Sequence, residues 1–381
     1  MAAMPLPGLD QTAVRRVNTA AVLRALAASE ADATLQALIG KTGLSRRTVE
    51  LILGELAAEG WAVETPSESS GGAGRPAKRF RFAAGHRLVA AARIDTHLAH
   101  GAVADLHGRV LGRASRPLGD YGDPRHSVAD AAAAVRAAAD DAGVPLDRLR
   151  AGAVAAGGVI DADGVVRRLV SAPAWSGFAL AGAFEAEFAV PWVADNDANL
   201  AALAEHRAGV ARGRRHIAWL IHGHRAGVGF IINNEVHRGS AGAAGELVES
   251  RVLGLRRGQD HPIGMLTSPI TADRDRAAQL VAEATGGDRA ALALAEEFAA
   301  TLADTIDVLA WTVAPELIVL GGGLETAADL LIPLVRQRAS EVGVLEIDIK
   351  ATAIGAGAPL IGAVRYALDR IDADLFGPVV S

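Results

Sequence analysis

A change of pattern near residue 85 constrains this chain more than any other feature of it. Before that point apolar residues recur at helical spacing; beyond it short apolar runs alternate with helical stretches. In 14-VRRVNTAAVLRALAAS-29, Val14, Val17, Ala21 and Leu26 stand at helical spacing, and a short helix fits 34-TLQALIGK-41. Gly43 makes a tight turn, and Ser45 is a good N-cap for 46-RRTVELILGELAAEG-60, where Val49, Ile52, Leu53 and Leu56 share a face. The runs 61-WAVETP-66 and 78-KRFRFA-83 read as two strands of a hairpin joined by a flexible loop. Helix, short helix, turn, longer helix and hairpin predict a winged helix-turn-helix over residues 1–85.

Charge supports that reading. The chain of 381 residues carries a net charge of -6, yet Arg15, Arg16, Arg46, Arg47, Arg75, Lys78, Arg79 and Arg81 all fall in its first segment. A basic head on an acidic body predicts anion binding by the head, here operator DNA. The third helix enters a major groove N-terminus first, which places Ser45, Arg46, Arg47 and Thr48 nearest the bases and phosphates. Arg75 in the wing is placed in a minor groove. Cysteine is absent, so disulfides and thiolate metal sites are excluded. No apolar run reaches the length of a membrane span and no signal peptide is visible, so the expectation is a cytoplasmic protein without a membrane partner.

From residue 86 onward, 88-LVAAARID-95, 99-AHGAVADL-106 and 108-GRVLGRAS-115 read as consecutive strands. A helix over 127–143, strand 150–158, a helix near 178–188 and strand 190–195 follow. A second set contains helix 197–209, strands 216–223 and 227–234, a long helix 289–313, strand 316–323, a helix, strand 346–353 and a last helix. Two such sets predict two α/β lobes, 86–195 and 196–381, with a cleft between them; the last helix is free to return to the small lobe.

The segments 195-DNDANLAALAE-205, 238-RGSAGAAGEL-247, 315-PELIVLGGGL-324 and 354-IGAGAPLIGAV-364 resemble the ROK family of sugar kinases and transcriptional repressors. The segment 152-GAVAAGGVIDADGVV-166, followed by 172-APAW-175, is similar to its small lobe. The resemblance implies a two-lobed body of the actin-like, hexokinase-like (ribonuclease H-like) fold. With a winged helix in front it implies the repressor branch, binding operators as a homodimer or homotetramer and responding to a small-molecule sugar.

The same resemblance supplies a test of catalysis. Asp197 matches the family base, Glu246 matches a glutamate that binds sugar hydroxyls, and Asn196 and Gly158 complete the expected ligand set. Asn196-Asp197 also reads as a plain helix cap, and Glu246 as a surface carboxylate. Trp175 offers either a flat face to a sugar ring or a core side chain. Where the family has Asp-x-Gly-x-Thr the chain reads 95-DTHLA-99, with His97 for Gly and Ala99 for Thr. In 223-GHRAGVG-229, His224-Arg225 replaces the Thr-Gly pair of the second phosphate loop. Glu249 stands where a zinc-ligating histidine belongs, and where the family often has Asn after Ala-Pro the chain has Ala174. His222 and His224 are spaced to share one strand face, but no third metal ligand accompanies them. The expectation is therefore a sensor without catalytic residues, metal or cofactor. The alternatives are a sugar kinase with a fused DNA-binding head, and a DNA-binding protein whose body is a scaffold or takes a non-sugar ligand.

Overall fold

The computed structural model describes residues 10–29, 31–66, 78–247, 258–342 and 347–376. The head consists of α1 (Gln11–Ala27), β1 (Ala33–Thr34), α2 (Leu35–Thr42), α3 (Arg46–Ala58), β2 (Ala62–Thr65) and β3 (Arg79–Phe82). Each helix is capped from its own sequence: Asp10, Thr34 and Ser45 each accept a hydrogen bond from the backbone N–H three residues on. Gly43 ends α2 in the left-handed region at φ 69°, a conformation that costs glycine little, and α3 can then turn away. Val22, Leu26, Leu38, Val49, Ile52, Leu53, Phe80 and Phe82 form one core. The sheet has three strands in the order β1-β3-β2; the two-residue β1 was not expected, being too short to show a period.

Next come β4 (Leu88–Ile94), β5 (Leu98–Asp105), β6 (Val110–Pro117), α4 (Pro124–Asp141) and β7 (Leu149–Ala156). β8 (Val159–Ile160), β9 (Val165–Arg168) and β10 (Phe178–Ala179) form a small separate sheet, followed by α5 (Leu180–Phe188) and β11 (Trp192–Asn196). The large sheet runs β11-β7-β4-β5-β6, with β4, β5 and β6 antiparallel and β7 and β11 parallel to β4. α6 (Asp197–Ala208), β12 (Ile217–Ile221), β13 (Gly227–Ile232) and β14 (Glu235–Val236) open a second set. α7 (Thr271–Thr285), α8 (Arg289–Thr312), β15 (Leu317–Leu320), α9 (Ala328–Val342), β16 (Asp348–Ala351) and α10 (Ala358–Phe376) close it. Its sheet runs β14-β13-β12-β15-β16, the same connectivity as the first. α7 is absent from the sequence reading, although Ala277, Leu280, Val281 and Ala284 recur at helical spacing and form its packed face.

The two sheets are joined through α6, whose residues Ala198 to Glu205 are all buried. Leu200 and Leu203 pack with α10 against the first sheet; Ala198, Ala201, Ala202 and Ala204 pack on the second. Glycine allows the approach on both sides. A Cβ at Gly229 would lie 2.0 Å from the Ala198 carbonyl oxygen, and one at Gly362 would lie 1.8 Å from that of Leu200. The last helix thus packs on the first sheet although it follows the second in sequence.

The head sits on the far part of this layer. α1 packs against α10. Leu106, in the β5–β6 turn, packs into the head core and donates its N–H to the Ala84 carbonyl at 3.1 Å. Phe82 meets His107 edge-on at 5.3 Å, and Arg365 of α10 donates to the His107 carbonyl at 3.2 Å.

Candidate functional site

Strand β11 and helix α6 deliver three polar side chains in succession, and each has a different task. Asp195 is 1% exposed and holds Arg238 through Nε at 2.8 Å and Nη2 at 2.6 Å. Its other oxygen accepts from the Asn196 N–H at 2.7 Å and from Asn199 Nδ2 at 2.9 Å. With every lone pair direction in use, Asp195 is structural. Asn196 caps α6, its Oδ1 accepting from the N–H of Ala198 and Asn199. Its Nδ2 donates to the Gly158 carbonyl at 3.0 Å and to Glu246 Oε1 at 3.2 Å. The cap and the ligand wall are therefore the same side chain. Asp197, one residue on, faces the cleft.

The cleft between the lobes encloses about 450 Å³ and is walled by Asp95, Tyr121, Gly158, Asn196, Asp197, Arg225 and Glu246, among others. Four of the five expected ligand residues, Gly158, Asn196, Asp197 and Glu246, meet there. Trp175 does not: it is 0% exposed, packs edge-on against Phe178, and gives its Nε1–H to the Tyr121 carbonyl at 2.8 Å. The expectation of a sugar-stacking Trp175 is corrected. An indole with its only donor satisfied internally is more stable in the core than in water. It instead backs Tyr121, whose ring lies 5.7 Å away and does line the cleft. Burial, together with the nearby Asp197 and Asp95, pushes the Tyr121 hydroxyl up to about 12, so it enters the cleft as a neutral donor. Tyr121 lies in a loop without any motif, and nothing in the sequence marks it.

Arg225 organises the centre. Its Nη2 lies 2.7 Å from Asp197 Oδ2 and its Nη1 lies 3.3 Å from Asp95 Oδ2. Arg93 reaches the same Asp95 oxygen at 2.8 Å and donates to the Ala356 carbonyl at 3.2 Å. Burial acts to raise Asp95, but the two guanidiniums and the Thr96 N–H outweigh it and hold the carboxyl at about 2. The backbone around Arg225 is fixed: its N–H donates to Thr267 Oγ1 at 2.9 Å, and the His224 N–H donates to the Gly264 carbonyl at 3.0 Å. Sequence reasoning treated His224-Arg225 as a lost phosphate loop; the structure adds that Arg225 makes a new cross-lobe ion pair.

Behind Arg225 lies a second cavity of about 440 Å³, reaching to Gly322, Gly323 and the Gly355–Gly357 turn. Asp95, Asp197 and Arg225 line both spaces, so Arg225 is their partition. His97 is exposed on the second cavity wall. Gly229, a remnant of the second phosphate loop, is explained by the contact with α6.

His222 and His224 do not share a face. His224 is exposed, whereas His222 is buried between Thr301 and Thr305, with burial pulling it down to about 4. The strand ends at Ile221, so the alternation that would have aligned them has already stopped. Among the described residues no three His, Asp or Glu side chains are grouped to hold a metal. Glu249 lies outside the described residues, as does Arg75 of the wing. In the head, Arg46 and Arg47 are exposed at the start of α3, and Arg46 Nε pairs with Glu50 at 3.0 Å. Ser45 accepts from the Thr48 N–H at 3.2 Å, so both are committed to the cap. Among the described residues no helix is long and apolar enough to cross a membrane.

With this geometry established, comparison with known proteins is decisive at the family level. The ROK family pattern matches residues 92–248 and 266–370, more than half of the chain. The chain belongs to the ROK family.

Both an enzyme and a repressor are among the proteins it is similar to. It is 28% identical to a glucokinase of Halalkalibacterium halodurans over 191 residues, 43% of this chain and 58% of that protein. It is 26% identical to the xylose repressor of Bacillus subtilis over 249 residues, 62% of this chain and 61% of that protein. The chain thus spans less than two thirds of either relative. A ROK family transcriptional regulator, a homologue of the Escherichia coli MLC protein, superposes with a TM-score of 0.71 at 19% identity. That superposition covers 95% of this chain and 98% of the other, and it shows the fold of head and body together.

Proposed function

We propose that this ROK protein is a DNA-binding transcriptional regulator, acting as a repressor, whose cleft senses a sugar or sugar derivative without phosphorylating it. The observation that carries the reading is Arg225. A general base has to accept a proton from the attacking hydroxyl. Here the carboxylate at the base position already holds a guanidinium at 2.7 Å, which also occupies the passage toward Asp95 and the second cavity. Asp197 keeps its other oxygen for a sugar hydroxyl, beside Glu246 and the Tyr121 hydroxyl.

The route from cleft to head follows α10. Arg93 ties the Asp95–Arg225 cluster to the Ala356 carbonyl just before α10, and the same helix packs on α1. A ligand that shifts the lobes shifts α10 and the head with it. Two heads in a homodimer or homotetramer would then change their separation on a palindromic operator. Such coupling requires that the ligand bind the two arrangements with different affinity. A cytoplasmic location fits this role.

The test combines operator binding and ligand stabilisation on the purified protein. Arg47→Ala should weaken operator binding and reduce its salt slope by about 1 if the contact is to phosphate. A panel of monosaccharides should raise the melting temperature with one sugar, lose that shift in Asp197→Ala, and change operator affinity with the same sugar. Identical operator affinity with and without every bound sugar would sink the sensing role.

A sugar kinase with a fused head is the second reading. It is favoured by the cavity kept behind Arg225 and by the likeness to a glucokinase. ATP-dependent consumption of a free sugar, abolished by Asp197→Asn, would establish it instead.

A further inference from the structure

Helix α3 carries one side chain that neither the head core nor the helix cap explains. Val49, Ile52, Leu53 and Leu56 point into the core and are 3% exposed or less, whereas Leu51 is 55% exposed. Leu51 stands with Arg47, Gly54 and Ala58 at successive spacings of four, three and four residues, which helical geometry sets on one side, and all four are exposed. Beyond Leu51 that side is nearly bare. A Cβ at Gly54 would meet nothing within 4 Å, and Ala58 adds only a methyl.

The surroundings of Leu51 select what it meets. The two carboxylates of α3 would repel a phosphate backbone, yet each is held by an arginine: Glu50 by Arg46 at 3.0 Å, and Glu55 by Arg15 of α1. Arg47 is exposed one turn before Leu51 on the same side. A protein partner docked on this side would call for a contiguous apolar patch. Here a single leucine lies among arginines and small residues. That combination suits the floor of a major groove, where an arginine finds base or phosphate acceptors and an apolar side chain meets the C5 methyl of thymine. The other three bases present hydrogen-bonding groups there and no methyl, and a leucine can pair with none of those groups. Gly54 and Ala58 are small enough to let the rest of the helix lie close to the bases.

We propose that Leu51 is a specificity-determining residue of the head, selecting one thymine in each operator half-site through its C5 methyl. The inference rests on the DNA-binding reading above and adds to it the chemistry of one base that the operator must contain.

The experiment uses the whole chain. Selection from a pool of random-sequence duplexes yields its preferred site. Each thymine of that site is then replaced singly by deoxyuridine, which removes the C5 methyl and leaves the pairing edge intact. Fluorescence anisotropy at constant salt reads the affinities. In the wild type, one thymine per half-site is expected to lose about fourfold on replacement, the fold-change that roughly 0.8 kcal/mol for one buried methyl converts to. In Leu51→Ala, an exposed change to a good helix former, the thymine and uracil duplexes should bind alike. A preferred site at which no such replacement weakens the wild type overturns the role of Leu51, and so does a loss that persists in Leu51→Ala. A lower oligomeric state of Leu51→Ala in analytical ultracentrifugation also overturns it, because Leu51 would then serve a contact between copies. Enrichment of no sequence at all would overturn the DNA-binding reading, and this inference with it, so the two failures are told apart.

Discussion

Replacing Arg225 by alanine is the most direct test of how the cleft is built. Its side chain is 26% exposed, against 20% for Asp197 and 16% for Asp95, so the three charges are well shielded without being sealed from water. Removing one partner of a buried ion pair costs roughly 3–5 kcal/mol because an uncompensated charge remains. Here partial exposure softens the loss and Arg93 still holds Asp95, so about 2–3 kcal/mol is expected at pH 7. The pH dependence has a definite sign. Asp95 titrates at about 2 in the folded protein and near 4 when unfolded. Its stabilising contribution is therefore present above pH 4 and is lost as pH falls toward 2. Without Arg225 the folded carboxyl rises toward its ordinary value, so the gap between wild type and variant should narrow below pH 4. Urea denaturation of wild type, Arg225→Ala, Asp197→Asn and the double variant measures both quantities. A coupling of about 1 kcal/mol or more is expected between the two positions. A cost below about 0.5 kcal/mol, or strictly additive effects, would refute the Arg225–Asp197 ion pair.

Two further outcomes concern the frame around the site. His222 is held neutral at about 4 against an unfolded value near 6.5, so it favours the unfolded state as pH falls through that window. Relative to His222→Gln, the wild type should lose roughly 2 kcal/mol more between pH 7 and pH 4.5; parallel pH profiles would contradict this placement of His222. Gly362→Ala puts a methyl where only 1.8 Å separates it from the Leu200 carbonyl, and should destabilise by about 2 kcal/mol or more. Gly357→Ala, with nothing within 4 Å, should be close to neutral in the same urea titrations, and equal effects would show that α6 and α10 are not so closely packed.

Much of the architecture was legible because it is written in local terms. Ser45, Gly43 and the apolar period of α3 specify a capped helix after a turn, and their partners lie within a few residues. The alternation of strand and helix is likewise local, as is the loss of glycine at His97 and Arg225. Gly158, Asn196, Asp197 and Glu246, which line the cleft together, could be named in advance because residue type at a motif position is a local property too. The exceptions are instructive. Whether Trp175 faces a ligand or the core depends on what β9 and the Tyr121 loop bring over it, and an aromatic beside a turn serves either purpose.

What the sequence could not state is which charges meet. It shows Arg225 as a missing glycine; only the folded protein shows that its guanidinium spans Asp197, 28 positions away, and Asp95, 130 positions away. It shows a last helix of unassigned destination; the folded protein packs α10 on the first sheet beside α6, with its start at the second cavity and its body against α1 of the head. Short-range patterns encode backbone conformation and the side of an element that seeks burial. The meeting of two charges across a cleft depends instead on how two sheets are registered through α6, and that register leaves no period in the chain.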